Sequence, residues 1–131
     1  MLTLREFCFS QKNVIDITDF VQQHIGKNGI CTVVVKDTQS AIILSSTDIE
    51  TDADICADME RAFPARCSYA SSVDPLITSS TIISSVIGTR VDIPYREGKL
   101  LLGKRQSIRL VFLGKNRNVC VAVYLMEENK K

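Results

Sequence analysis

Four arginines, at positions 90, 96, 105 and 109, crowd the stretch from 84 to 110 and are the residues best suited to hold an anion. A guanidinium presents a planar fork of N–H donors that matches the oxygens of a phosphate or carboxylate. If Lys99 to Phe112 forms one strand, period-2 alternation sends Lys99, Leu101, Gly103, Arg105, Ser107 and Arg109 to one face. Leu100, Leu102, Lys104, Gln106, Ile108 and Leu110 then take the other. Arg105 and Arg109 share a face in this reading, and with Arg90 and Arg96 they could clamp a small phosphate or carboxylate. A solvated strand face or intersubunit salt bridges would use the same residues. Gln106 falls on the apolar face, where a buried amide needs hydrogen-bond partners and can orient a ligand or a subunit.

Other chemistry-bearing residues offer less. The acidic run Asp48, Glu50, Asp52, Asp54 and Asp58 fails as a calcium loop: counted from Asp48, the sixth position is Ala53 instead of Gly and the twelfth is Met59 instead of Glu. Carboxylates there suit the positive end of a helix. His24, the single histidine, sits near the end of a short helical stripe and fits that helix's negative end. The five cysteines form no C-x-x-C pair, and their odd number leaves at least one outside any intrachain disulfide. Cys8, Cys31 and Cys120 read as small apolar strand residues; a link between Cys56 and Cys67 would belong to a thermophilic cytosol. Phosphate-loop, dinucleotide and nucleophile-elbow motifs are absent.

The elements that must position these side chains follow from periodicity. Leu2 to Phe9 alternates like a strand. Asp16 or Thr18 caps a short helix carrying Phe20, Val21 and Ile25, stopped by Gly26 and Asn28-Gly29. Ile30 to Val35 and Ala41 to Leu44 are β runs and read as a hairpin. Thr51 or Asp52 opens a helix to Phe63 with Ile55, Met59 and Phe63 inward, and Pro64 ends it. Ala65 to Ser80 reads as a Ser/Thr-rich loop, with Thr81 to Ile87 a short helix in preference to a strand. Arg90 to Pro94, a turn at Tyr95 to Gly98 and the strand from Lys99 form a second hairpin. Asn118 to Met126 closes the sheet, and a tail over 125–131 frays.

A chain of 131 residues is one domain, residues 1–131, and buries on the order of two-thirds of its unfolded surface. A net charge of +1 and the lack of tryptophan argue against a nucleic-acid partner. No apolar run is long enough to span a membrane, and MLTLREF lacks a signal peptide's apolar core, so the expected compartment is cytoplasmic.

The frame of the arginine-rich stretch, Gly88-Thr89, Pro94, Gly98, Leu100, Leu102-Gly103, Gln106 and Ile108, resembles the YjbQ family of small proteins linked to secondary thiamine-phosphate synthase activity. Ile17-Thr18-Asp19-Phe20-Val21, Gly29 to Val35 and Asp58-Met59-Glu60-Arg61 extend the resemblance over roughly Ile15 to Leu125. It implies an α+β fold, a mainly antiparallel sheet or sandwich with two main helices, and a homotrimer with pockets near subunit interfaces. It also implies a metal site of three histidines, whose matching positions here are Asp37, Ser71 and Thr81. Carboxylate and neutral hydroxyls suit zinc poorly, so no zinc cofactor is expected, with Asp37 suited at most to a weakly held divalent cation. Lys104-Arg105-Gln106 stands where the family has Thr-Trp-Gln. The leading expectation is a homotrimeric binding protein without the metal site, taking a small anionic ligand at Arg105, Arg109, Arg96 and Gln106. Two alternatives remain open. One is an enzyme joining a pyrimidine alcohol diphosphate to a thiazole phosphate, with Asp37 or Asp52 as base, Arg105 with Arg109 on phosphate and Gln106 a further catalytic candidate; the other is an architectural partner protein.

Overall fold

In the computed structural model, which describes residues 1–128, two antiparallel sheets stack face to face and two helices cover the outside of the smaller one. The elements in order are β1 (Leu2–Phe9), β2 (Asn13–Asp16), α1 (Thr18–Gln22), β3 (Gly29–Lys36), β4 (Ser40–Ser46), α2 (Ile49–Ala62), α3 (Pro75–Ile87), β5 (Arg90–Arg96), β6 (Lys99–Leu100), β7 (Gln106–Phe112) and β8 (Arg117–Glu127). The large sheet has strand order β1-β8-β3-β5-β6 and the small one β2-β7-β4. The expected α+β fold with a mainly antiparallel sandwich is borne out.

Alternation builds the core. Cys31, Val33 and Val35 of β3, Val119, Val121, Val123 and Leu125 of β8, and Ile93 and Tyr95 of β5 point inward from the large sheet. They meet Ile42 of β4 and Ile108, Leu110 and Phe112 of β7, with Phe9 stacked on Phe112 at 4.4 Å. The central strand of the small sheet, β7, is buried on both faces from Ser107 to Phe112. Its second face carries Val111, which with Leu113 and Ala41 packs under Ile83 of α3. Arg109 shares that face by alternation, and so lies beneath the helical layer and away from solvent.

Several sequence expectations fail for reasons of tertiary structure. β3 and β4 are not a hairpin, because β3 pairs with β5 and β8 while β4 pairs with β7 in the other sheet. The stretch 99–112 is not one strand either. β6 ends at Leu100, and the chain crosses between sheets through a turn that keeps Leu101 to Arg105 outside the ladder until β7 begins at Gln106. Leu100 and Leu102 still pack against the core, so their spacing mimics a continuous strand. The helix read at Thr81 begins earlier, at Pro75, with Asp74 accepting from the Leu76 N–H as N-cap, which shortens the preceding loop. Within the stretch 125–131 expected to fray, β8 continues through Glu127, and the Glu128 N–H donates to the Asn28 carbonyl. Residues 129–131 of that tail lie outside the described residues.

The turn between β5 and β6 needs left-handed backbone: Glu97 has φ 52° and Gly98 φ 76°, the pattern of a tight hairpin turn. Gln22 of α1 straps it, donating to the Gly98 carbonyl at 2.6 Å and accepting from the Leu100 N–H at 3.3 Å.

Candidate functional site

Asp37 follows β3 directly, and its carboxylate is fully engaged. Arg117, the first residue of β8, donates Nε to Oδ1 at 3.0 Å and Nη2 to Oδ2. Ser40 Oγ donates to Oδ2 at 2.6 Å and the Gln39 N–H at 3.0 Å. The guanidinium in turn lies over the Phe112 ring, 4.4 Å from its centre. Burial opposes ionisation of Asp37, but the Arg117 hydrogen bonds, helped by Ser40 and Gln39, outweigh it and hold the carboxyl below its ordinary value. The ion pair links positions 80 apart in the chain, and no local motif announces Arg117.

Beside this pair is a cleft of about 250 Å³ bordered by Asp37, Thr38, Thr81, Ser85 and Thr89. Two of the three positions that the resemblance assigns to metal ligands, Asp37 and Thr81, therefore share one cleft. Ser71 does not border it; it is exposed in the loop before α3, accepting from the Val73 N–H. The Thr81 hydroxyl donates to Ile77 O, and that of Ser85 to Thr81 O. These donors do not fit a zinc ion: the carboxylate's oxygens are held by a guanidinium and a hydroxyl, and neutral hydroxyls bind zinc weakly. Among the described residues, no three His, Cys, Asp or Glu side chains gather as a metal site.

The arginine clamp read from alternation does not assemble. Arg109 is 4 % exposed and bound within the chain, with Nη1 3.2 Å from Asp16, Nη2 3.3 Å from Asp52 and Nε donating to Ser46 O at 3.1 Å. Arg105 sits exposed in the turn before β7, its carbonyl accepting from the Thr47 N–H. Arg90 pairs with Asp92 at 3.2 Å. Gln106 is also exposed, since the strand begins only there, and its Oε1 accepts from the Gly103 N–H at 2.9 Å to brace the crossover turn. Arg96 borders a groove, about 440 Å³ in volume, at the end of the large sheet, with Ile30, Pro94 and Met126 beneath and Glu127 and Glu128 alongside.

Asp52 is the one buried residue of α2, with its side chain 10 % exposed against Arg109. Burial pushes its carboxyl above the ordinary value, outweighing the attraction of Arg109. Its Oδ1 and Arg109 Nη2 are buried without a hydrogen-bond partner among the described residues, because the pair approaches without alignment. Asp52 also borders a groove of about 440 Å³ with Lys12, Asn13 and Glu60, where Arg109 competes with any ligand for its carboxylate. Asp48 is the α2 N-cap, accepting from the Glu50 N–H, and the acidic run around it serves the helix start. His24 meets the Phe20 ring edge-on at 5.1 Å. All five cysteines are free thiols, and burial pushes Cys31 up to about 11.

The family model described as UPF0047 protein YjbQ-like matches residues 5–128. The chain belongs to the YjbQ family. Solved structures agree with that assignment of fold. An uncharacterized conserved YjbQ/UPF0047 protein of Clostridium acetobutylicum, at 24% identity, superposes with a TM-score of 0.88 over 95% of this chain and 99% of its own. A YbjQ-like protein of unknown function from Sulfolobus solfataricus is 25% identical with a TM-score of 0.78, covering 97% of this chain and 99% of that one. A conserved hypothetical protein of Thermus thermophilus is 18% identical yet reaches a TM-score of 0.86 over 95% and 99% of the two chains. No curated protein matches the sequence. Reasoning along the sequence on the YjbQ frame misses Arg117, which the fold brings to Asp37. Among the described residues no helix is long and apolar enough to cross a membrane.

Proposed function

We propose that this YjbQ-family chain is a homotrimeric binding protein in which an internal ion pair has taken the place of the family's histidine metal site. The observation that carries this reading is the seating of Arg117 on both oxygens of Asp37. A fixed guanidinium supplies the positive charge there without a metal, and it withholds the carboxylate from work as a base. Asp52, the other candidate base, is tied to Arg109. Neither arrangement favours retention of thiamine-phosphate synthase chemistry.

Two features support the rest of the proposal. The outer face of the large sheet is uncovered and carries exposed Leu2, Leu4, Ile30, Tyr124 and Met126 on adjoining strands. Contiguous apolar surface of that kind marks association, and a second and third copy of this chain are the occupants we assign. Arg96, exposed over its groove, is the arginine to which we assign a small phosphate or carboxylate.

The deciding experiment is zinc analysis and equilibrium zinc titration of the purified protein, run with a coupled assay for thiamine phosphate. We expect no stoichiometric zinc and no product. Zinc bound one per chain with micromolar or tighter affinity would overturn the ion-pair reading, and product formation would restore the enzyme. Light scattering at a mass three times 14.6 kDa is expected for the trimer; a monomer at working concentration would remove it.

A further inference from the structure

A second pocket, remote from the Arg96 groove, has the makings of a ligand site. It lies where α2 ends and α3 begins, about 330 Å³ in volume, with Ile83, Leu76 and Leu113 as its apolar lining. Ile83 and Leu113 are 1 % and 2 % exposed, so this base belongs to the packed interior. Ser80 lines the same pocket and is 4 % exposed.

Of the other α3 hydroxyls, Ser79 donates to Phe63 O, Thr81 to Ile77 O, Ser84 to Ser40 O and Ser85 to Thr81 O, while Thr78 Oγ1 is enclosed and unpaired among the described residues and does not line this pocket. Among the described residues, the Ser80 hydroxyl has no such partner, and it is not among the fully enclosed unpaired atoms. The Ser80 hydroxyl thus keeps some exposure on the pocket side and is free to bond whatever occupies the pocket. An apolar pocket with one or two placed polar groups is the usual form of a small-molecule site.

Charge at the mouth selects the ligand. Lys12 and Glu60 both line the opening and pair with each other. Glu60 is the more exposed partner, 48 % against 38 % for Lys12, so its carboxylate can turn to water at little cost, an exposed pair being worth only about 0–1 kcal/mol. With Glu60 turned away, the Lys12 ammonium at the opening is left for a new anion.

We propose that this pocket binds a small apolar carboxylate, its body on Ile83, Leu76 and Leu113, a hydrogen bond to Ser80, and its carboxylate exchanged for Glu60 on Lys12. The site is independent of the Arg96 groove and of the metal question.

The test is two-dimensional amide NMR of the full chain titrated with phenylacetate, with uncharged phenylacetamide and cationic phenethylammonium as controls. Expected are saturable shifts at Ser80, Ile83, Leu113 and Gly114 with phenylacetate alone below about 5 mM. Lys12→Gln should weaken binding at least fivefold, Ser80→Ala about threefold, and Glu60→Gln should strengthen it severalfold by releasing Lys12. Arg96→Ala should leave it unchanged. All four substitutions are at or near the surface of the fold or remove few atoms, and unchanged spectra elsewhere confirm folding. Absence of saturable shifts at these amides up to 50 mM, tighter binding of phenethylammonium, or a Glu60→Gln variant that binds no better would each overturn the proposal.

Discussion

Replacing Arg109 by methionine tests whether that residue holds the fold together or holds a ligand. The guanidinium is 4 % exposed and serves Asp16, Asp52 and the Ser46 carbonyl. Asp16 is 43 % exposed, and losing that pair is worth about 0–1 kcal/mol. Asp52 is the expensive partner: its side chain, 10 % exposed, would be left charged and unpaired, and breaking a buried pair from one side costs about 3–5 kcal/mol. A domain of this size has a total stability of roughly 5–15 kcal/mol. The loss should therefore lower the urea midpoint by about 2 M for a slope near 2 kcal/mol/M. The pH dependence has a definite sign. Burial already raises Asp52 above its ordinary value against the pull of Arg109, and without that pull it rises further. A carboxyl whose folded value is raised gives its full stability below the unfolded value and loses it as pH climbs through the folded one. The deficit of Arg109→Met relative to the parent should then be larger at pH 7.5 than at pH 5. Adding Asp52→Leu should recover at least half of the loss, since apolar residues replace buried pairs at little cost. Urea unfolding followed by circular dichroism, at one fixed chain concentration so that association does not intrude, measures all three. A loss under 1 kcal/mol, or a double variant no better than the single one, would refute the structural role and return Arg109 to the set of ligand contacts.

Arg117→Ala should cost about 2–3 kcal/mol at pH 7, a buried-pair value reduced because the two side chains are 25% and 15% exposed. Asp37 is held below its ordinary value, so the pair's contribution is present above the unfolded carboxyl value and fades as pH falls; the same urea comparison at pH 3 should show the gap closing, and a constant gap would contradict it. Thiol titration of the native protein should modify exposed Cys8 and Cys67 first and leave buried Cys31, pushed up to about 11, untouched until unfolding; early loss of all five thiols would show that β3 opens readily.

Legibility in the sequence tracks how local the determining interactions are. The strands β1, β3, β5 and β8 are readable because alternate residues of one strand face one core, a pattern written in neighbouring positions. The Glu97-Gly98 turn is readable because its backbone demands it. The candidate site is far less so. Arg105 and Arg109 look like a pair only while 99–112 counts as one strand; the crossover turn at Gly103 to Gln106 puts one in solvent and the other under α2. Gln106 looks buried for the same reason. Ser71 and Thr81 are matched by position along the chain, yet only Thr81 reaches the Asp37 cleft.

By itself the sequence determined family, fold class and the strands β1, β3, β5 and β8, since hydrophobic period and backbone preference act over a few residues; the caps it offered, Asp16 or Thr18 for α1 and Thr51 or Asp52 for α2, give way to Ile17 and Asp48. Tertiary structure alone decided which strands share a sheet, that Arg117 closes on Asp37 across 80 positions, and that Arg109 is spent on Asp16 and Asp52. Those outcomes depend on how two sheets and a helical layer stack, and a charge buried by stacking must find its partner among whatever residues the stack brings near.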